Sequence, residues 1–192
     1  MSLTLLDLNS ETRGDGTAFS AEPVPPLRKT WIGFALALAL LVVEVLSVGA
    51  GDSPGLSLAL VVLSLAGAIY WLTCIQRFHT ILRQISPRVA GEPTYPITPG
   101  QAVGYHFIPF YNLFWLFKWP MTLTSFLQEN SKVRMMPGPL LGLLAFLGVL
   151  GRLADGAIGL AVLFVVVAYI SGKLRQAVGE YESLRAAATA FN

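Results

Sequence analysis

Four long apolar stretches, none with a Lys or Arg in its core, constrain this chain more than anything else in it: Trp31–Ala50, Leu56–Ile75, Gly138–Gly151 and Ala157–Gly172. A helix of about 20 such residues matches the roughly 30 Å hydrocarbon core of a bilayer. Lipid offers no partner to backbone N–H and C=O groups, so each crossing segment must be helical. Composition agrees. The chain is 54% apolar and 12% charged, against about 25% charged in an ordinary soluble domain, and its mean hydropathy is +0.63. With 192 residues it has room for one domain. A net charge of +2 gives no nucleic-acid signature. Cys74 is the one cysteine, which excludes an intrachain disulfide and a cysteine-rich metal site; inside an apolar stretch it reads as a small buried hydrophobe.

The first stretch ends Ser47-Val48-Gly49-Ala50-Gly51, which has the small residues of a signal-peptide cleavage site. Its length, however, exceeds the 7–15 residues of a signal core. The leader before it carries Asp7, Glu11, Asp15 and Glu22 instead of a short basic segment, so it is expected to be a retained span. Residues 1–30 read as a disordered cytoplasmic tail, given the run Glu22-Pro23-Val24-Pro25-Pro26. Leu3, Leu5, Leu6 and Leu8 form a short apolar patch within it. Arg28 and Lys29 followed by Trp31 make the basic and aromatic flank typical of the cytoplasmic end of a span.

The turn Gly49–Gly55 forces the first two spans, 31–50 and 56–75, into an antiparallel hairpin. The second is expected to continue as helix, because Ile75, Phe78, Leu82 and Ile85 form one apolar stripe that stops at Ser86-Pro87. After a Pro-punctuated loop, Thr98-Pro99-Gly100-Gln101 has the form of a helix N-terminus with a capping box. That helix is broken at Pro109. Beyond the break, Tyr111, Lys118, Thr122, Ser125 and Glu129 fall on one face of a helix whose remaining surface is apolar, a pattern suited to a bilayer boundary. Spans three and four, 138–153 and 156–172, are short, with Asp155 as N-cap of the fourth. Short spans cross only through local thinning or by packing on partners. Gly142, Gly148, Gly151, Gly156 and Gly159 suggest close helix contact there, and Ser47, Ser57, Ser64 and Thr73 read as interhelical hydrogen-bonding groups. In the C-terminal helix, 173–192, the positions Ala177, Tyr181, Leu184, Ala188 and Phe191 form a heptad-like docking face.

Charge chooses between two topologies. If the fifth apolar stretch, Ala102–Leu127, also crossed, the cations Lys132, Arg134, Lys173, Arg175 and Arg185 would lie outside and Lys118 would be stranded in lipid. If it enters and returns, or lies in the interface, Arg152 is the only outer cation. Cations in short loops stay on the cytoplasmic face, and a charge at mid-membrane costs at least about 2.5 kcal/mol. The expected fold is therefore an all-α integral membrane protein. It has four transmembrane helices as two hairpins and a Pro-broken amphipathic or re-entrant element, 99–128, on the inner face. Both termini are cytoplasmic.

The segments Thr98-Pro99-Gly100-Gln101-Ala102-Val103-Gly104 and Phe107-Ile108-Pro109-Phe110-Tyr111-Asn112-Leu113-Phe114-Trp115 resemble a signature of bacterial multi-pass membrane proteins known only as a domain of unknown function. The resemblance covers roughly residues 60–172. It implies a bacterial cell membrane and brings no activity. Asn112 is its polar residue, and the side-chain amide is expected to satisfy backbone groups freed at Pro109.

Glu44 is the only acid within a span and is a functional candidate for that reason. Three readings compete: a protonated carboxyl hydrogen-bonded to a neighbouring helix or partner, an ion pair with Arg152, and a carrier of protons or ions. His79 and His106 have no Cys, Asp or Glu at ligand spacing, so no metal is expected, and no catalytic motif or cofactor fingerprint is present. Arg77, Arg83, Arg88, Lys132 and Arg134 make a basic inner face that either contacts anionic lipid headgroups or only sets topology. The expected function is a membrane scaffold or accessory subunit bound to a partner complex, a second copy or anionic lipid. The alternatives are a small transporter or channel using Glu44 and the Pro109–Asn112 break, and, third, a membrane enzyme; Arg152 and Lys118 are further candidate functional residues.

Overall fold

A computed structural model describes residues 23–50, 53–89 and 92–190. Residues 1–22 lie outside the described residues, and with them most of the expected tail and its leucine patch; Phe191, the last position of the heptad-like face, lies outside too.

The described chain is all-helical apart from a two-residue antiparallel ladder, Arg88–Val89 against Glu92–Pro93. Six α-helices follow one another: α1 Thr30–Ala50, α2 Pro54–Ile85, α3 Pro99–Gly104, α4 Tyr111–Asn130, α5 Gly138–Ala154 and α6 Gly156–Ala190. A single 3₁₀ turn, Tyr105–Phe107, joins α3 to the break before α4. Three helices are long and apolar enough to cross a membrane, Thr30–Ala50, Pro54–Ile85 and Gly156–Ala188, while α5 is apolar but has only 17 residues.

Local signals explain the boundaries. α2 starts with Pro54 in its first turn and stops at Ser86, before Pro87. At α3 the Thr98 hydroxyl accepts from the Gln101 N–H and the Gln101 side chain accepts from the Thr98 N–H, a complete capping box. The Asp155 carboxylate accepts from Ile158 N–H at 2.8 Å and caps α6. From there α6 runs 35 residues without interruption, about 52 Å, so the fourth apolar stretch and the C-terminal helix are one element.

α6 is the pillar of the bundle, packing on α1, α2 and α5, and α5 in turn packs on α4. The core is one continuous cluster that includes the stripe Ile75, Phe78, Leu82 and Ile85, the fully buried Cys74, Trp115 and Trp119, and Leu160 to Tyr181 along α6. Ala177 and Tyr181 of the C-terminal face are in it. The cluster is lopsided. Buried positions in α1 are confined to Gly33, Ala37 and Leu40, and in α2 they begin only at Gly67. The outer ends of the α1–α2 hairpin, with Val45, Leu46, Val48, Leu58 and Val61, are bare.

Close helix approach at the glycines accounts for the second hairpin. A Cβ on Gly142 would lie 2.9 Å from Phe117 Cα, which belongs to the backbone of α4. A Cβ on Gly159 would collide with the Arg152 backbone N. The α5–α6 turn is thereby locked against the start of α6. Residues 23–29 lie against the bundle, where Pro23 O accepts from Gln84 Nε2 and Lys29 O accepts from Tyr70 Oη.

Candidate functional site

Glu44 lies six residues before the end of α1, about 9 Å along its axis. Its carboxyl faces the start of α6: the backbone N–H groups of Gly156 and Ala157 and the Asp155 carboxyl are its electrostatic neighbours. Anions are favoured at such a helix N-terminus. Glu44 Oε2 is buried and has no hydrogen-bond partner.

Arg152 does not turn to Glu44. Its Nη2 donates to the Ser64 carbonyl oxygen at 3.0 Å and also to the Ser64 hydroxyl. Ser64 is ten residues into α2, about 15 Å from its start, so the guanidinium reaches across to the middle of α2. Nε and Nη1 find no acceptor among the described residues. Ser64 thus serves between helices, whereas Ser47 and Thr73 bond their own helix, to the carbonyls of Glu44 and Tyr70.

Two cavities adjoin along Ser64, Ala68 and Arg152. One, an open recess of about 450 Å³, is also lined by Glu44, Leu40, Val61 and Gly156. The other, likewise open and of about 390 Å³, is also lined by Trp71, His106, Phe107, Asn112 and Leu153. The polar groups at their walls come from α1, α2, the 3₁₀ turn, α4 and α5. Both ring nitrogens of His106 and Oδ1 of Asn112 are buried without a partner. Trp71 meets the His106 ring edge-on at 5.0 Å.

The break at Pro109 is real but is satisfied differently from expectation. Tyr111 N–H donates to Pro109 O at 2.7 Å and Asn112 N–H to Ile108 O at 3.0 Å, so the backbone closes the turn itself. Asn112 lines the second cavity, and its Oδ1 is buried without a hydrogen-bond partner. Phe110 takes φ 62°, an uncommon conformation for a side-chain-bearing residue. The turn is anchored from the other side by Trp115, whose indole N–H donates to Ala102 O at 3.2 Å. Exposed Lys118 rests over the Phe114 ring at 5.4 Å, well outside the two cavities.

Sequence reasoning did not foresee a second buried polar group. His79 is fully buried; its Nδ1 lies 2.7 Å from Tyr95 Oη, and its Nε2 is orphaned, as is the nearby Trp119 Nε1. Burial pushes the Tyr95 phenol well above its ordinary value. The signal was present in the apolar stripe, since His79 sits between its members Phe78 and Leu82.

The basic residues occupy the opposite end from Glu44. Arg83 Nη1 reaches Tyr95 O at 3.4 Å, and Arg77 is half-buried on α2. Lys132 and Arg134 are exposed in the α4–α5 link, where Lys132 N–H donates to Glu180 Oε2. The Arg88 side chain lies outside the described residues. Among the described residues no three His, Cys, Asp or Glu side chains are grouped to hold a metal ion.

No protein-family model, curated protein or solved structure matches the chain.

Proposed function

We propose that this chain is a small multi-pass membrane protein of the carrier or channel class. In this reading α1, α2, α5 and α6 cross a bacterial plasma membrane, both termini face the cytoplasm, and the segment 99–128 dips into the inner leaflet. One observation carries it: Glu44, Ser64, His106, Asn112 and Arg152, from five elements, wall two adjoining cavities. Buried polar atoms without partners are costly in a low-dielectric surrounding, and intramembrane ionisable groups mark solute or proton paths. On this support we put a carrier or channel ahead of a scaffold or accessory subunit.

The test is reconstitution into liposomes loaded with a pH-sensitive dye, with proton and chloride flux followed after a gradient is imposed. Flux above that of empty liposomes is expected, reduced at least tenfold by Glu44→Gln or Arg152→Gln while the protein still elutes as folded. Liposomes as tight as empty ones reject the carrier.

A second reading keeps the accessory subunit. The most apolar windows of α1 and α2 are only 17% and 22% buried, which leaves helix faces for lipid or a partner helix. That reading expects a stoichiometric membrane complex in mild detergent, lost on Glu44→Gln.

A further inference from the structure

The cavity beside the Pro109 break differs from its neighbour in one chemical respect. Its polar wall consists of Arg152, His106, Asn112 and Ser64 and contains no carboxylate, whereas Glu44 lines the other cavity. Arg152 is the one cation there, and its Nε and Nη1 N–H groups have no acceptor among the described residues. The His106 ring lines the same wall, with both of its nitrogens buried. A planar guanidinium with spare N–H groups is the side chain best matched to a phosphate oxyanion. Its position is fixed, because Gly159 lets α6 press directly on the Arg152 backbone and Cγ, while Ser64 holds the other end.

The mouth of this cavity is apolar and exposed. Phe107 is 70% and Leu153 85% exposed, and both line it. These side chains offer an acyl chain a surface to lie on. The volume of about 390 Å³ suits one headgroup-sized moiety.

We propose that this cavity is a phosphate-ester site that admits an anionic phospholipid headgroup sideways from the bilayer, with the phosphate on Arg152. It deepens the carrier reading by naming the class of group held, and it rests on the same recess. It is separate from the basic inner face formed by Arg77, Arg83, Lys132 and Arg134.

The experiment is native mass spectrometry of the purified protein, exchanged into micelles carrying equal phosphatidylglycerol and phosphatidylcholine, with inorganic phosphate as a separate arm. One retained phosphatidylglycerol per chain, preferred at least tenfold, is expected. Arg152→Gln should abolish the preference, while the paired change Lys132→Gln and Arg134→Gln should leave it intact. Leu153→Trp, which fills the mouth without touching the polar wall, should weaken retention as well and serves if Arg152→Gln does not fold. Equal retention of both lipids, or loss through the inner-face pair instead, overturns the proposal. Binding of inorganic phosphate with no lipid preference overturns the lateral lipid source. Selective retention in a protein without flux leaves this site standing and removes the carrier reading; flux without selective retention does the reverse.

Discussion

Tyr95 shows how much a single buried hydroxyl decides. Its phenol stacks by the His79 ring, meets Phe126 edge-on, and supplies the one hydrogen bond His79 has. Tyr95→Phe leaves that imidazole with two unpaired nitrogens, so a loss of about 1–3 kcal/mol is expected in unfolding in detergent at pH 7. The alkaline limb gives an independent check. The folded phenol ionises well above the ordinary value, while the unfolded one ionises near pH 10 (about 10,). The unfolded chain therefore loses its proton first, and the contribution of Tyr95 is intact below pH 10 and declines as pH rises beyond it. Tyr95→Phe should show a shallower decline above pH 10 than the parent; an equal slope refutes this account. At this scale the sequence marked Glu44 and Arg152 because charge in an apolar run is rare. It could not show that Arg152 prefers Ser64, since the register between α2 and α5 arises only when the helices pack.

At the scale of elements, the second hairpin depends on distance of approach. The Cβ position on Gly142 lies 2.9 Å from both Cα and Cδ1 of Phe117 and 3.3 Å from Leu116 O. Backbone atoms do not yield, so Gly142→Ala is expected to cost about 1–3 kcal/mol by forcing α5 off α4. Gly179, in α6, has nothing within 4 Å of its Cβ position, and Gly179→Ala should raise helix stability by about 0.5–1 kcal/mol. Thermal unfolding of the two variants in the same detergent checks the pair; destabilisation of both, or of neither, contradicts the packing described. Caps and stripes were legible because they depend on local chemistry: Thr98 with Gln101, Asp155 with Ile158, Ser86 before Pro87. The break at Pro109 was legible for the same reason. How the break is closed was not. Phe110 turns to positive φ and the backbone bonds itself, so the Asn112 side chain takes no part in the closure, and no residue pattern announces a positive φ at phenylalanine. The fourth apolar stretch and the C-terminal helix were both legible as helix; that they join without a break was not, because the stretch after Gly172 differs in composition and not in conformation.

For the whole molecule, the positions of the cations make a prediction about orientation. In a Cys74→Ala background, Ser53→Cys between α1 and α2 should react with a membrane-impermeant maleimide on intact cells. Lys132→Cys and Ser183→Cys should react only after permeabilisation. Labelling of Ser183→Cys from outside would place the long helix the other way and remove the inner-leaflet role from the broken segment. The membrane class was evident from apolar run length, and three helices meet that length in the fold. Vertical offset was not evident, because a run length says how far a helix extends and nothing about where it starts. Glu44 meets the start of α6 about 9 Å short of the α1 terminus, so the second hairpin turns below the first. If both hairpins cross as proposed, lipid beside Leu153 has to sag to meet that low shoulder while lipid beside Val48 stands at full height, and such a stepped outline would favour regions where short or loosely ordered acyl chains collect.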